Sequence, residues 1–253
     1  MIKRYMITVA YDGTDYCGWQ IQPNGITIEQ VLNEALTELM KQPVRIIGAS
    51  RTDSGVHALG NVAVFDAETT IPGDRICFAL NALLPEDIRV VASREVDPGF
   101  HPRYTDSRKT YEYRIQNGRI PYPTRNRYTH FTGCPLDIEA MREGAAFLVG
   151  KHDFKSFCAA ATSVKTTVRN VLSIDIRKEI LTGPGAPEIV IEITGEGFLY
   201  NMVRIIAGTL IKVGLHVYPP EHVGEILEAR DRDRAGEPAP AKGLRRKSIT
   251  SDI

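Results

Sequence analysis

The residues most able to do chemistry gather in one stretch, GASRTDSGVHALGNVAVF, residues 48–65. Arg51, Asp53 and His57 stand there among Gly48, Gly55 and Gly60. Glycines let a backbone turn tightly and let another molecule approach closely. A carboxylate in such a loop suits a nucleophile, a general base or a metal ligand. To stay ionised out of bulk water it needs a cation nearby. Arg51, two positions away and on the same side of an extended segment, is one candidate. Arg204 is another: it interrupts an apolar run, FLYNMV before it and IIAGTLI after it, and an arginine there needs an anionic partner. The plainer reading of a single Asp among glycines is a turn-former. His57 alone reads as a structural hydrogen-bonding group with no catalytic role. Tyr111 alone is one more strand aromatic, and Trp19 a core or loop anchor.

The elements that must position these residues follow from hydrophobic periodicity. Residues 2–11, 44–49, 61–67 and 88–96 read as strands, with the reactive loop at a sheet end. Ile28, Val31, Leu32, Ala35, Leu36 and Leu39 recur at helical spacing, and Thr27 followed by Gln30 fits a capping box. Residues 74–84 read as a second helix closed by Pro85. The order β-α-β-β-α-β is that of a ferredoxin-like unit. The second half repeats it. Strands are predicted at 109–116, 166–180 and 188–194, the last two joined by the turn-rich LTGPGAP, and helices at 137–150, 198–215 and 220–230. The chain thus divides into an N-terminal α+β half, 1–105, carrying the Asp loop, and a C-terminal α+β half, 106–253. The closing RRKSITSDI lacks clear alternation and signals a final strand only weakly.

Charge narrows the class of partner. The 31 basic and 31 acidic residues cancel, which excludes a basic or acidic tail protein. Locally they do not cancel. Residues 101–130 hold Arg103, Arg108, Lys109, Arg114, Arg119, Arg125 and Arg127 against Asp106 and Glu112, interleaved with tyrosines. Arginines meet phosphates and aromatic rings stack on exposed bases, so this mixture suits RNA. The longest run without Asp, Glu, Lys or Arg is Tyr16–Ile28, 13 residues, short of the roughly 20 apolar residues of a bilayer span. The start of the chain reads as a strand rather than a signal peptide. Cys17, Cys77, Cys134 and Cys158 are widely spaced, which points to reduced thiols, no zinc and a cytoplasmic protein.

Taken in order, YDGTDYCGWQIQP, RTDSGVHALGNVAVF, FHPRYTDSRKTYEYRI, HDFKSF, GEGFLYNMVRIIAGTL and RAGEPAPAKGL resemble the tRNA pseudouridine synthase A family over about residues 3–244. The resemblance implies the pseudouridine synthase fold, two ferredoxin-like or RRM-like halves around a central antiparallel sheet with an RNA-binding cleft. It implies isomerisation of uridine to pseudouridine at positions 38, 39 and 40 of the tRNA anticodon stem-loop, by a homodimer with no metal and no organic cofactor. Its RTD triplet places the catalytic aspartate at Asp53, which attacks C1′ or takes a sugar proton. Its substrate-binding positions fall on Arg51, on Tyr111 of the KTYEYRI strand and on Arg204. After Leu244 the family continues as an alternating hydrophobic strand, and this chain does not.

Two rival functions fit parts of the sequence. A non-catalytic protein of paired RRM-like units explains the topology and the basic stretch, but the aromatic signature of an RRM is missing. A metal-dependent hydrolase using Asp53 and His57 lacks a further ligand at metal spacing.

Overall fold

The computed structural model describes residues 1–105, 107–159, 164–180 and 187–251. The chain forms two compact units, Met1–Ser107 with the C-terminal residues from Arg246 onward, and Arg108–Arg245. No helix among the described residues is long and apolar enough to cross a membrane.

The first unit runs β1 (Lys3–Tyr11), α1 (Ile28–Met40), β2 (Ile47–Gly48), β3 (His57–Ala67), α2 (Ile76–Asn81) and β4 (Ile88–Val96). This is the β-α-β-β-α-β order that the sequence predicts. The sheet order is β4-β1-β3-β2, and the pairings are antiparallel. Strand β1 alternates as a half-buried strand should, with Tyr5, Ile7, Val9 and Tyr11 inward. They join one core with Ile28, Leu32, Leu36 and Met40 of α1 and with Ile76 and Leu80 of α2.

Three local departures have physical causes. The capping box is half made. Thr27 accepts from Gln30 N at 3.3 Å, but the Gln30 side chain turns forward to Glu34. The strand expected over 44–49 shrinks to two residues, because α1 side chains take its backbone donors. Val44 N bonds Thr37 Oγ1 at 3.1 Å and Ile46 N bonds Asn33 Oδ1 at 2.9 Å. The helix expected over 74–84 is six residues long. Asn81 ends it by bonding both the carbonyl and the amide of Val90 at 2.9 and 2.8 Å, which ties the helix to β4.

The second unit contains β5 (Ser107–Asn117), β6 (His130–Thr132), α3 (Ile138–Ala146), β7 (Gly150–Asp153), β8 (Val168–Glu179), β9 (Glu188–Gly195), α4 (Met202–Gly214) and α5 (His222–Ala229). Its sheet order is β5-β9-β8-β7, antiparallel, with β6 added in parallel to β5. The short β6 and β7 carry no periodic signal in the sequence. Residues 181–186 of the LTGPGAP link lie outside the described residues.

Strand β5 carries a dense ionic group. Glu112 is 2% exposed and bonds Arg245 Nε at 2.8 Å and Arg177 at 3.3 Å. Arg114 bonds Glu188 at 2.7 Å and Glu179 at 2.9 Å, and Arg125 bonds Glu188 at 2.7 Å. Burial works against the Arg114 charge, and Glu188, Glu112 and Glu179 outweigh it, so its pKa rises. Two arginines of the basic 101–130 stretch therefore serve buried carboxylates inside the protein.

The chain end forms β10 (Leu244–Ser251), a full strand where the sequence signals one weakly. From Arg246 onward it packs in the first unit, beside β3, rather than with the rest of 106–253. Consecutive strand residues project to opposite sides. Arg245 reaches Glu112, while Arg246 enters the interior of the first unit. The alternation is therefore present, but its inward residue is an arginine.

Candidate active site

In the first unit the loop between β2 and β3 is held by its neighbours almost residue by residue. Ala49 N bonds Val62 O at 2.8 Å, and Trp19 N bonds Thr52 O at 3.1 Å. The Thr52 hydroxyl meets Tyr11 OH at 2.8 Å. Gly55 N and Ser54 Oγ both donate to Tyr16 O, at 3.3 and 3.2 Å, and Val56 N closes a turn on Asp53 O at 3.1 Å. Two glycines make the close approach possible. A Cβ on Gly13 would lie 2.1 Å from Val56 O, and one on Gly18, whose φ is 81°, would lie 2.6 Å from Thr52 O.

This framework sets how the reactive side chains stand. Thr52 turns inward to Tyr11, while Arg51 on one side is exposed and Asp53 on the other is half-buried. Asp53 is thus carried on a backbone that cannot easily shift. His57 is buried, and its Nδ1 accepts from Gly13 N at 3.1 Å. The same Nδ1 lies 3.1 Å from Asp12 Oδ1, so the ring is held between the Asp12 side chain and the Gly13 backbone, a structural role. The indole of Trp19 is 1% exposed and lies over Gly48, where a Cβ would be 2.5 Å from Nε1.

In the second unit Tyr111 and Tyr113 share one face of β5 and are 7% and 0% exposed. Tyr111 packs edge-on against Phe198, with ring centroids 5.2 Å apart. Tyr113 donates to Pro240 O at 3.0 Å. Burial pushes the Tyr113 phenol pKa well up, and the nearby Arg204 charge only partly opposes it. Arg204 lies near the start of α4 and is half-buried. Its Nε donates to Ala239 O at 2.7 Å, Ala239 N returns a bond to Arg204 O at 2.9 Å, and Nη1 donates to Asn201 Oδ1 at 2.8 Å.

The segment 235–239 can reach Arg204 because α4 is cut away beneath it. A Cβ on Gly208 would lie 1.9 Å from Glu237 O. Gly236 N then bonds Thr209 Oγ1 at 3.0 Å. Met202, Val203, Ile205 and Ile206 beside Arg204 are buried, Tyr200 is exposed, and the guanidinium is oriented by backbone and amide oxygens.

The structure places Arg51 and Asp53 on one loop of the first unit, and Tyr111 and Arg204 in the second. Sequence reasoning missed Arg246. Its side chain is fully buried and bonds the backbone of the Asp loop. The only signal was a pair of arginines where a strand ought to alternate.

The family described as tRNA pseudouridine synthase matches residues 7–105 and 145–250. A tRNA pseudouridine synthase A of Thermoanaerobacter sp. (strain X514) is 45% identical over 243 residues, covering 96% of this chain and 97% of the relative. Proteins of the same name from Acetivibrio thermocellus and Brevibacillus brevis are each 43% identical, over 96% of this chain and 97% of their own length.

Proposed function

The chain belongs to the tRNA pseudouridine synthase family, and on that premise we propose that it isomerises uridine to pseudouridine at positions 38, 39 and 40 of the tRNA anticodon stem-loop, with Asp53 as the nucleophile. The bond between C1′ and N1 breaks, the uracil rotates, and C5 joins C1′. One proton leaves C5 and one is gained at N1, so nothing is oxidised and no water is consumed. The target base must leave its stack for its ring to be reached.

In this reading the Asp53 carboxylate attacks C1′ as N1 departs and is displaced when C5 takes its place. Tyr111 lies against the uracil. Arg51 supplies positive charge on the carboxylate's own loop, and Arg204 binds the polyanionic substrate. The protein acts as a homodimer in the cytoplasm. The observation that carries the proposal is the RTD triplet itself: its aspartate stands half-buried on a loop pinned by Tyr11, Tyr16 and Trp19. Because C5 loses its hydrogen, tRNA tritiated at uracil C5 should release tritium to water when the protein is added. Retention of the label with tight tRNA binding would instead support a non-catalytic RNA-binding protein.

The ionic group on β5 changes which arginines should meet phosphate. Arg119 is exposed, whereas Arg125 bonds buried Glu188. If Arg119 contacts one phosphate, Arg119→Ala should flatten the slope of log K against log salt by about 0.9, the coefficient for duplex DNA serving as guide. Arg125→Ala should leave the slope unchanged and lower the melting temperature, because buried Glu188 loses one of its two arginine partners. Binding titrations at three salt concentrations, with thermal melts of both variants, check this. Equal slopes for Arg119→Ala and the parent protein would remove Arg119 from the RNA surface.

A further inference from the structure

The structure assigns to Arg246 the positioning of the Asp53 loop, a role that rests on the reading of Asp53 as the reacting carboxylate. The side chain is 0% exposed, among the largest fully buried side chains of the protein. Its Nη2 donates to Ser50 Oγ at 2.9 Å and to Arg51 O at 3.1 Å, and its Nη1 donates to Asn61 Oδ1 at 2.8 Å and to Ser50 O at 3.3 Å. Asn61, itself 0% exposed, returns Nδ2 to Ser50 O at 3.2 Å. Ser50 and Arg51 lead directly into Thr52, whose two oxygens are held by Trp19 and Tyr11. Asp53 comes next. Arg246 therefore fixes the first two residues of a four-residue approach whose third is fixed from the other side.

Chemistry explains why an arginine does this and an apolar residue would not. An inward strand position beside β3 needs only apolar bulk for packing. A hydrophobic side chain there would leave Ser50 O, Ser50 Oγ and Arg51 O without these donors. The planar guanidinium presents its N–H groups as a rigid fork, so several oxygens are set relative to one another at once. A lysine ammonium is a single point and cannot span them. The neighbouring strand β3 is irregular here. Its pairing with β1 shifts register between Asn61 and Ala58, and a Cβ on Gly60 would lie 3.5 Å from Lys247 O. Bulges of this kind re-aim side chains next to sites.

The test compares Arg246→Met, Arg246→Lys, Ser50→Ala and Asp53→Asn in the whole protein. Each is checked for folding by thermal melting and by emission of Trp19, the single tryptophan, whose backbone N–H bonds Thr52 O. Single-turnover rates on unmodified tRNA and tRNA affinities are then measured. We expect Arg246→Met to slow the chemical step by about 10- to 100-fold, since a small misplacement of a reacting group has that cost. Arg246→Lys should stay slow, Ser50→Ala should lose about threefold, and every affinity should stay within about twofold of the parent. A purely structural role predicts something else: full rate per folded molecule, or rate and affinity falling together. Either result overturns the inference. If Arg246→Met does not fold, Ser50→Ala decides, and its full activity overturns the inference too. An active Asp53→Asn would defeat the reading of Asp53 instead. An inactive Asp53→Asn beside a fully active, folded Arg246→Met defeats the positioning role alone.

Discussion

Asp53→Asn will abolish conversion of uridine while leaving tRNA affinity close to that of the parent protein. The substitution keeps the size of the side chain and removes its charge and its nucleophilic oxygen. The loop around it is held by backbone bonds that do not involve the side chain: Val56 N to Asp53 O, Gly55 N to Tyr16 O, and Trp19 N to Thr52 O. The fold should therefore survive. Removing a nucleophile or general base costs about 10²-fold or more. Single-turnover assays with enzyme in excess separate this from slow product release. A variant that turns over within tenfold of the parent would show that Asp53 is a turn residue, the plainer reading of any aspartate among glycines.

Gly208→Ala will be the most destabilising single-methyl change on α4. Its Cβ would lie 1.9 Å from Glu237 O and 3.3 Å from Ala239 N, both backbone atoms with no rotamer to yield. Overpacking of this kind costs about 1–3 kcal/mol and at times more. For a chain of this length about 3 kcal/mol corresponds to a melting temperature lower by roughly 6–12 °C. Function should suffer with stability, because the displaced segment carries Ala239, which bonds Arg204 in both directions. Gly197→Ala is the control. A Cβ there would meet nothing nearer than 3.8 Å, and its melting temperature should stay near that of the parent. Equal melting of the two variants would refute the close crossing of 235–239 over α4.

Much of the fold was legible because its signals are local. The apolar stripe of α1, the alternation of β1 and the order of elements in the first unit all follow from periodicity. What was not legible depends on partners distant in sequence. The strand expected at 44–49 is cut short by Thr37 and Asn33, which offer its amides side-chain acceptors. Arg114 and Arg125 look like phosphate ligands until Glu188, over sixty residues away, is found between them.

The site divides in the same way. A crowd of polar residues among glycines marks the loop of Arg51 and Asp53 in one dimension. The anchoring of Arg204 by Ala239 does not appear there, nor does the reach of Arg246 back to Ser50 across 196 residues. Arg246 even counts against a last strand when alternation is the only criterion, since the residue facing inward is charged.

The most direct test of the central claim is a nucleotide-resolution map of pseudouridine in an unmodified tRNA transcript, made after incubation with the parent protein and, in parallel, with Asp53→Asn. We expect new pseudouridine at uridines of the anticodon stem-loop, positions 38–40, with the parent protein and none with the variant. An unmodified transcript after exposure to the folded parent protein, or the same pseudouridines formed by the variant, would contradict it.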